Sequence, residues 1–193
     1  MSKKETTAKP SFAAEIFEWI EMIIISACVV LLIFTFIARP ASVDGRSMEN
    51  TLHDKELLII SDLFYEPERG DIVVLQKINS DHSQPIVKRV IATEGETVDY
   101  DFITGKVTIT DASGETTTLD EGDYIKPELP EAYKSVPIDF PVTLEDGELF
   151  VMGDNRNNSL DSRSTGIGIV NENELIGKVL LRVFPFNKFG TVN

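Results

Sequence analysis

A serine and a lysine carry the most chemistry in this 193-residue chain. Ser47 stands in Gly45-Arg46-Ser47-Met48-Glu49-Asn50-Thr51-Leu52. Gly45, just upstream, permits backbone angles closed to other residues and a close approach by a peptide. Lys88 stands in the apolar run Val87-Lys88-Arg89-Val90-Ile91. Burial disfavours the charged form of an amine and lowers its pKa. A neutral amine can take the proton of a serine hydroxyl and turn that oxygen into a nucleophile. Taken singly, each residue also has an ordinary reading: a serine in a glycine turn, and two neighbouring strand cations, one of which faces water. A third stretch, 153–166, is dense in Asn, Asp and Ser. It departs from a calcium loop because Arg156 follows Asp154 where an oxygen ligand is needed. Arg156, Asp161 and Arg163 offer instead the ion pairs that hold a loop rigid. Orienting a catalytic amine requires such rigidity. The two histidines, His53 and His82, lie in polar context and are expected at the surface.

Something must carry these residues. Residues 22–38 read MIIISACVVLLIFTFIA, without a charge. At ~1.5 Å rise per residue they span roughly 25 Å, the short end of a bilayer core. Trp19 and Arg39 flank the run as interface anchors, Ser11 is placed to cap a helix beginning near Phe12, and Pro40 should end it. The exit, Ala38-Arg39-Pro40-Ala41, lacks the small residues a secretory cleavage site needs, which favours an uncleaved anchor. Lys3, Lys4 and Lys9 favour a cytoplasmic start, a bias that Arg39 and Arg46 weaken. The expected layout is a cytoplasmic segment at 1–21, a transmembrane helix at 22–38 and an extracytoplasmic domain at 39–193. The single cysteine, Cys28, excludes an intrachain disulfide and a cysteine-based zinc site.

Beyond Pro40 the pattern is mainly β. Short apolar runs bounded by turn residues lie at 57–60, 72–75, 86–91 and 149–152. Residues 106–110 alternate and turn at Ser113-Gly114 into 116–119, a predicted hairpin. A last run, 175–184, is expected to break at Gly177 and to end at Pro185. The formal net charge is −14. The charges of 1–39 cancel, so the whole excess lies beyond Arg39, and 94–148 carries fifteen acids against Lys106, Lys126 and Lys134. That segment reads as a solvated acidic insertion in the core sheet. The acidity excludes a nucleic-acid partner, which needs a basic face, and keeps the domain off anionic headgroups.

In combination these stretches resemble the bacterial type I signal peptidases, most of all the compact single-anchor forms of Gram-positive bacteria. Ser47-Met48 with Thr51-Leu52 is similar to the family's nucleophile box. Arg69-Gly70-Asp71-Ile72-Val73-Val74 is similar to its next strand box, and Lys88-Arg89-Val90-Ile91 to its general-base box. Gly153-Asp154-Asn155-Arg156, Asn158-Ser159 and Asp161-Ser162-Arg163 are similar to its terminal signature. The resemblance implies an antiparallel β-sheet catalytic domain, of the fold shared with self-cleaving regulators of the LexA type, behind one membrane helix. It implies a serine endopeptidase with Ser47 as nucleophile and Lys88 as general base, needing no cofactor and no metal. Ser159 is implied to orient the amine, with Asp154, Asp161, Arg163 and Arg89 as structural supports and the Ser47 N–H as an oxyanion donor. Its partners would be the lipid bilayer and exported preproteins with small residues at the two positions before the cut that matter, bound as an added strand; Val43 and Val87 are the expected pocket walls. Two departures stand out: Gly45 where some relatives place a hydroxyl, and Asn50 where the family usually has proline. Asn50 alone supports the alternative, a catalytically impaired homologue that binds exported peptides. Glu96, where Asp is common, is conservative.

Overall fold

The computed structural model describes residues 12–77, 84–125 and 137–192. Ser11, the N-terminal lysines, His82 and most of the Pro- and Tyr-rich loop of the acidic segment lie outside the described residues. The chain divides into two compact units, Met1–Ala38 and Arg39–Asn193.

The first unit holds one helix, α1, Phe12–Phe36. Its 25 residues correspond to ~37 Å of rise. The helix extends well upstream of the uncharged run because Phe12, Ile16, Phe17 and Ile20 continue the apolar pattern there. Glu15–Thr35 is long and apolar enough to cross a membrane by length and composition. Residues as far apart as Phe17 and Leu31 are exposed, as expected of a helix whose apolar surface faces something other than its own protein. The helix stops at Phe36, ahead of Pro40. Pro40 lies instead in an edge strand, where its missing N–H leaves no ladder bond unmade.

The second unit is built of two antiparallel sheets. The larger combines β1 (Arg39–Ser42), β2 (Leu57–Ser61), β3 (Ile72–Leu75), β4 (Ile86–Ala92), β9 (Glu148–Met152), β10 (Val170–Asn171) and β11 (Leu175–Phe184), in the order β1-β2-β11-β3-β4-β9-β10. The smaller combines β5 (Thr97–Tyr100), β6 (Val107–Thr110), β7 (Thr116–Thr118) and β8 (Val142–Thr143), in the order β7-β6-β5-β8. The smaller sheet lies wholly within the acidic segment. The two pack through one apolar cluster joining Ile91, Phe150 and Met152 to Val98, Val107 and Ile109. Strand β3 alternates between two further clusters: Ile72 and Val74 face Met48, Leu52 and Leu58, whereas Val73 and Leu75 face Val90, Val151 and Val170. A sheet covered on both faces explains why these strands read as unbroken apolar runs rather than alternating ones.

Gly177 does not break the last strand. β11 runs through it with a register shift against β3. A Cβ there would stand 2.8 Å from the backbone carbonyl of Ser61, so the glycine marks a close passage of two backbones.

Candidate active site

Lys88 is held on β4 between β3 and β9, opposite Val73. It is 2% exposed, and its neighbour Arg89 is 3% exposed, so neither cation faces water. Ser47 comes from a turn between β1 and β2. Met48 and Leu52, both buried in the core cluster, pin that turn from behind. In front, the turn is closed by Leu52 N–H donating to Met48 O (2.8 Å) and by Gly45 N–H donating to Asp54 Oδ1 (2.9 Å). Gly45 sits at φ +92° and Asn50 at φ +95°. The second value is closed to proline, whose ring fixes φ near −65°. Asn50 therefore builds a different turn from the one proline would set, and the serine still reaches the lysine.

Lys88 Nζ lies 2.8 Å from Ser47 Oγ and 3.0 Å from the carbonyl of Val87. Burial is the largest influence on this amine and pulls its pKa down; Asp161 and Asp154 push it up, and Arg163 opposes them. The result is about 8. At mildly alkaline pH a large fraction of the side chain is a neutral base already touching a hydroxyl.

The terminal signature wraps behind this pair. Arg89 forks onto Asp154, Nε to Oδ1 at 2.9 Å and NH2 to Oδ2 at 2.8 Å, and NH1 donates to Gly70 O. Thr51 Oγ1, from the nucleophile turn, donates to the same carboxylate. Arg163 forks onto Asp161, both bonds 2.9 Å. Burial would raise the Asp161 carboxyl, but Arg163, the Gly153 N–H and the nearby Ser159 hydroxyl outweigh it and hold it below the usual range. Two doubly bonded arginine–carboxylate pairs thus stand beside the amine, each partner nearly water-free.

Ser159 is buried against the same spot, but the expected bond to the amine is not formed. Its Oγ makes no well-shaped hydrogen bond. Of the two pocket residues expected, Val87 is half-buried while Val43 is 3% exposed and belongs to the core. Val43 presents no surface to a groove, so sequence adjacency to Ser47 was a poor guide to it. His53 is half-exposed beside Glu56.

Two contributors escaped the sequence reading. Asn155 donates from its backbone N–H to Ser47 O and from Nδ2 to Arg46 O, both 3.0 Å, tying the signature to the nucleophile turn. Gly153 fits where no side chain can. A Cβ on it would stand 2.3 Å from Ser159 Oγ and 2.4 Å from Ser47 O. The one signal was its place as first residue of the signature.

A hydroxyl in contact with a water-stripped amine, on a β scaffold, is the arrangement of a serine peptidase that uses lysine where others use histidine. The family described as signal peptidase, peptidase S26, matches residues 16–184. The chain belongs to this family. A "Signal peptidase I" of Bacillus amyloliquefaciens is 35% identical over 97% of this chain and 96% of its own length. "Signal peptidase I S" of Bacillus subtilis (strain 168) is 36% identical over 99% of this chain and 100% of its own. A solved signal peptidase I from Enterococcus faecalis V583 covers 59% of this chain and 97% of its own, at 26% identity and a TM-score of 0.42.

Proposed function

We propose that this chain is a membrane-anchored signal peptidase, which removes signal peptides from exported preproteins through an acyl-enzyme on Ser47. The observation that carries the assignment of roles is the 2.8 Å contact between Lys88 Nζ and Ser47 Oγ, with the amine's pKa brought to about 8. Lys88 takes the Ser47 proton as Oγ attacks the scissile carbonyl. The oxyanion is met by the Ser47 N–H. The Lys88 ammonium then gives its proton to the departing amine, leaving the acyl-enzyme and a free base. That base activates a water, and hydrolysis returns Ser47. Once Oγ is esterified the amine loses its hydroxyl partner, and the buried Ser159 hydroxyl takes over its orientation.

The substrate binds as an added extended strand, with Val87 walling a shallow pocket for a small side chain. Helix α1 spans the membrane, with the residues that precede it in the cytoplasm and the catalytic domain outside. The impaired-homologue reading has no observation behind it, because the turn at Asn50 leaves the dyad in contact.

The test is cleavage of a preprotein by the detergent-solubilised chain. Ser47→Ala and Lys88→Ala should each lose at least ~10³-fold in kcat with the β signal in circular dichroism unchanged. Val87→Phe should retain the dyad but change tolerance at the small positions. Substantial cleavage by either alanine variant removes the assignment.

A further inference from the structure

Among its described residues, the acidic segment contains one carboxylate unlike its neighbours. Glu121 is 6% exposed, although it belongs to the most acidic stretch of the chain. It accepts a forked pair from Arg156, NH1 to Oε2 at 2.7 Å and NH2 to Oε1. Burial alone would push the Arg156 guanidinium's pKa down; Glu121 more than reverses this. The remaining nitrogen, Nε, donates to Gly153 O at 3.1 Å.

Gly153 is the residue wedged between Ser47 O and Ser159 Oγ. Its N–H is held by Asp161 Oδ2 at 3.0 Å, and its carbonyl by Arg156. The peptide that sets the depth of the nucleophile turn is therefore fixed from both sides, and one of the two holds traces to Glu121. A second contact comes from the same turn. Tyr124 OH donates to Glu121 Oε1 at 2.8 Å, and the guanidinium of Arg89 lies over the Tyr124 ring, 4.2 Å from its centre. Such stacking suits the planar, weakly hydrated guanidinium. The 121–124 turn thus touches Arg156 and Arg89, two of the arginines around the site.

We infer that Glu121 and Tyr124 are positioning residues of the active site: the turn they form clamps Arg156 and Arg89, and through Gly153 it sets the distance from Ser47 to Lys88. This rests on the Ser47–Lys88 reading above. A displacement of about 1 Å at reacting atoms is enough to cost on the order of 10²-fold in rate, so a remote clamp has a kinetic signature distinct from that of a merely stabilising contact.

The experiment uses the full chain in detergent, with a peptide spanning a signal-peptide cleavage site, and measures kcat and KM across pH 6 to 10. Glu121→Gln should lower kcat about tenfold or more while KM moves less than about twofold. It also leaves Arg156 without its countercharge. The acid limb of kcat, set by a Lys88 amine that faces Asp154, Asp161, Arg163 and Arg89, should shift to lower pH. Glu121→Asp, which keeps the charge at a shorter reach, should restore the limb but only part of kcat. Tyr124→Phe, which keeps the ring, should fold in any case and show a smaller loss in kcat, again with KM steady. Variants that keep wild-type kcat and limb overturn the inference, as does a loss proportional to the unfolded fraction; should Glu121→Gln not fold, an unchanged kcat in Tyr124→Phe overturns it. Activity surviving in Ser47→Ala would indict the dyad assignment instead, whatever the clamp variants do.

Discussion

In the proposed mechanism Lys88 has to be two things at once, a buried group and a base. The same burial that makes it useful makes the folded state pH-dependent. Its folded pKa of about 8 lies below the value near 10.4 of an unfolded lysine. Between those two values the unfolded chain binds more protons, so the stability owed to this group rises with pH across that window. It is lost again as pH falls through about 8, and below that the cost of holding an ammonium in the core is felt in full. Replacing the amine by an apolar side chain of similar length removes that cost. Lys88→Met should therefore be more stable than the wild type at pH 7 by roughly 3 kcal/mol, at ~1.4 kcal/mol per unit of pKa difference, less about 1 kcal/mol for the lost bond to Ser47. Above pH 10 the gap should close. Urea unfolding of both proteins in detergent at pH 7 and pH 10 reads this directly; an identical gap at the two pH values would mean that the amine titrates normally. The same titration predicts that kcat of the wild type climbs about tenfold per pH unit below about 8 and levels above it.

The nucleophile turn shows how an element can keep its task while changing its means. Asn50 at φ +95° occupies a region that glycine enters freely, asparagine at modest cost and proline not at all. Asn50→Gly should retain activity, with its thermal midpoint unchanged or slightly raised. Asn50→Pro, although it restores the residue usual in the family, should lower the midpoint and cut cleavage, because the turn must be rebuilt around a fixed φ. A fully active, stable Asn50→Pro protein would mean the turn is set by Met48 and Leu52 alone. The same physics governs what could be read from residues beforehand. β2, β3, β4, β6 and β9 were legible because each is a short apolar or alternating run between turn residues. β1 was not, because Arg39-Pro40-Ala41-Ser42 has no apolar face and its proline reads as a helix stop. β8 and β10 are two residues each, too short to carry a period. The insertion of β11 between β2 and β3 is a pairing across more than a hundred residues, which no local pattern encodes. At the site, Ser47 and Lys88 were found through their motifs, since each alone looked ordinary. Glu121 was hidden by its company: among the described acids of its segment, only burial sets it apart.

For the molecule as a whole, charge and function have to agree on which side of the membrane the sheets lie. The local charge signal is slender. Lys3, Lys4 and Lys9 precede α1, and Arg39 and Arg46 follow it closely, so the positive-inside bias is small. The second unit carries nearly all of the −14 excess, which gives it no attraction to an anionic inner surface. The decisive consideration is the substrate: a signal peptide is presented for cutting where the exported chain emerges, so a dyad on the cytoplasmic face would never meet it. The domain should therefore lie outside. The sole cysteine, Cys28, lies within α1, which makes the orientation directly measurable. In a Cys28→Ser background, Thr117→Cys places a thiol on β7, an exposed edge strand, far in sequence from Ser47 and Lys88. A membrane-impermeant maleimide should label it in intact cells as completely as after lysis. Labelling that appears only after lysis would put the catalytic unit inside, and would take away with it the exported preproteins as substrates, even with the dyad geometry untouched.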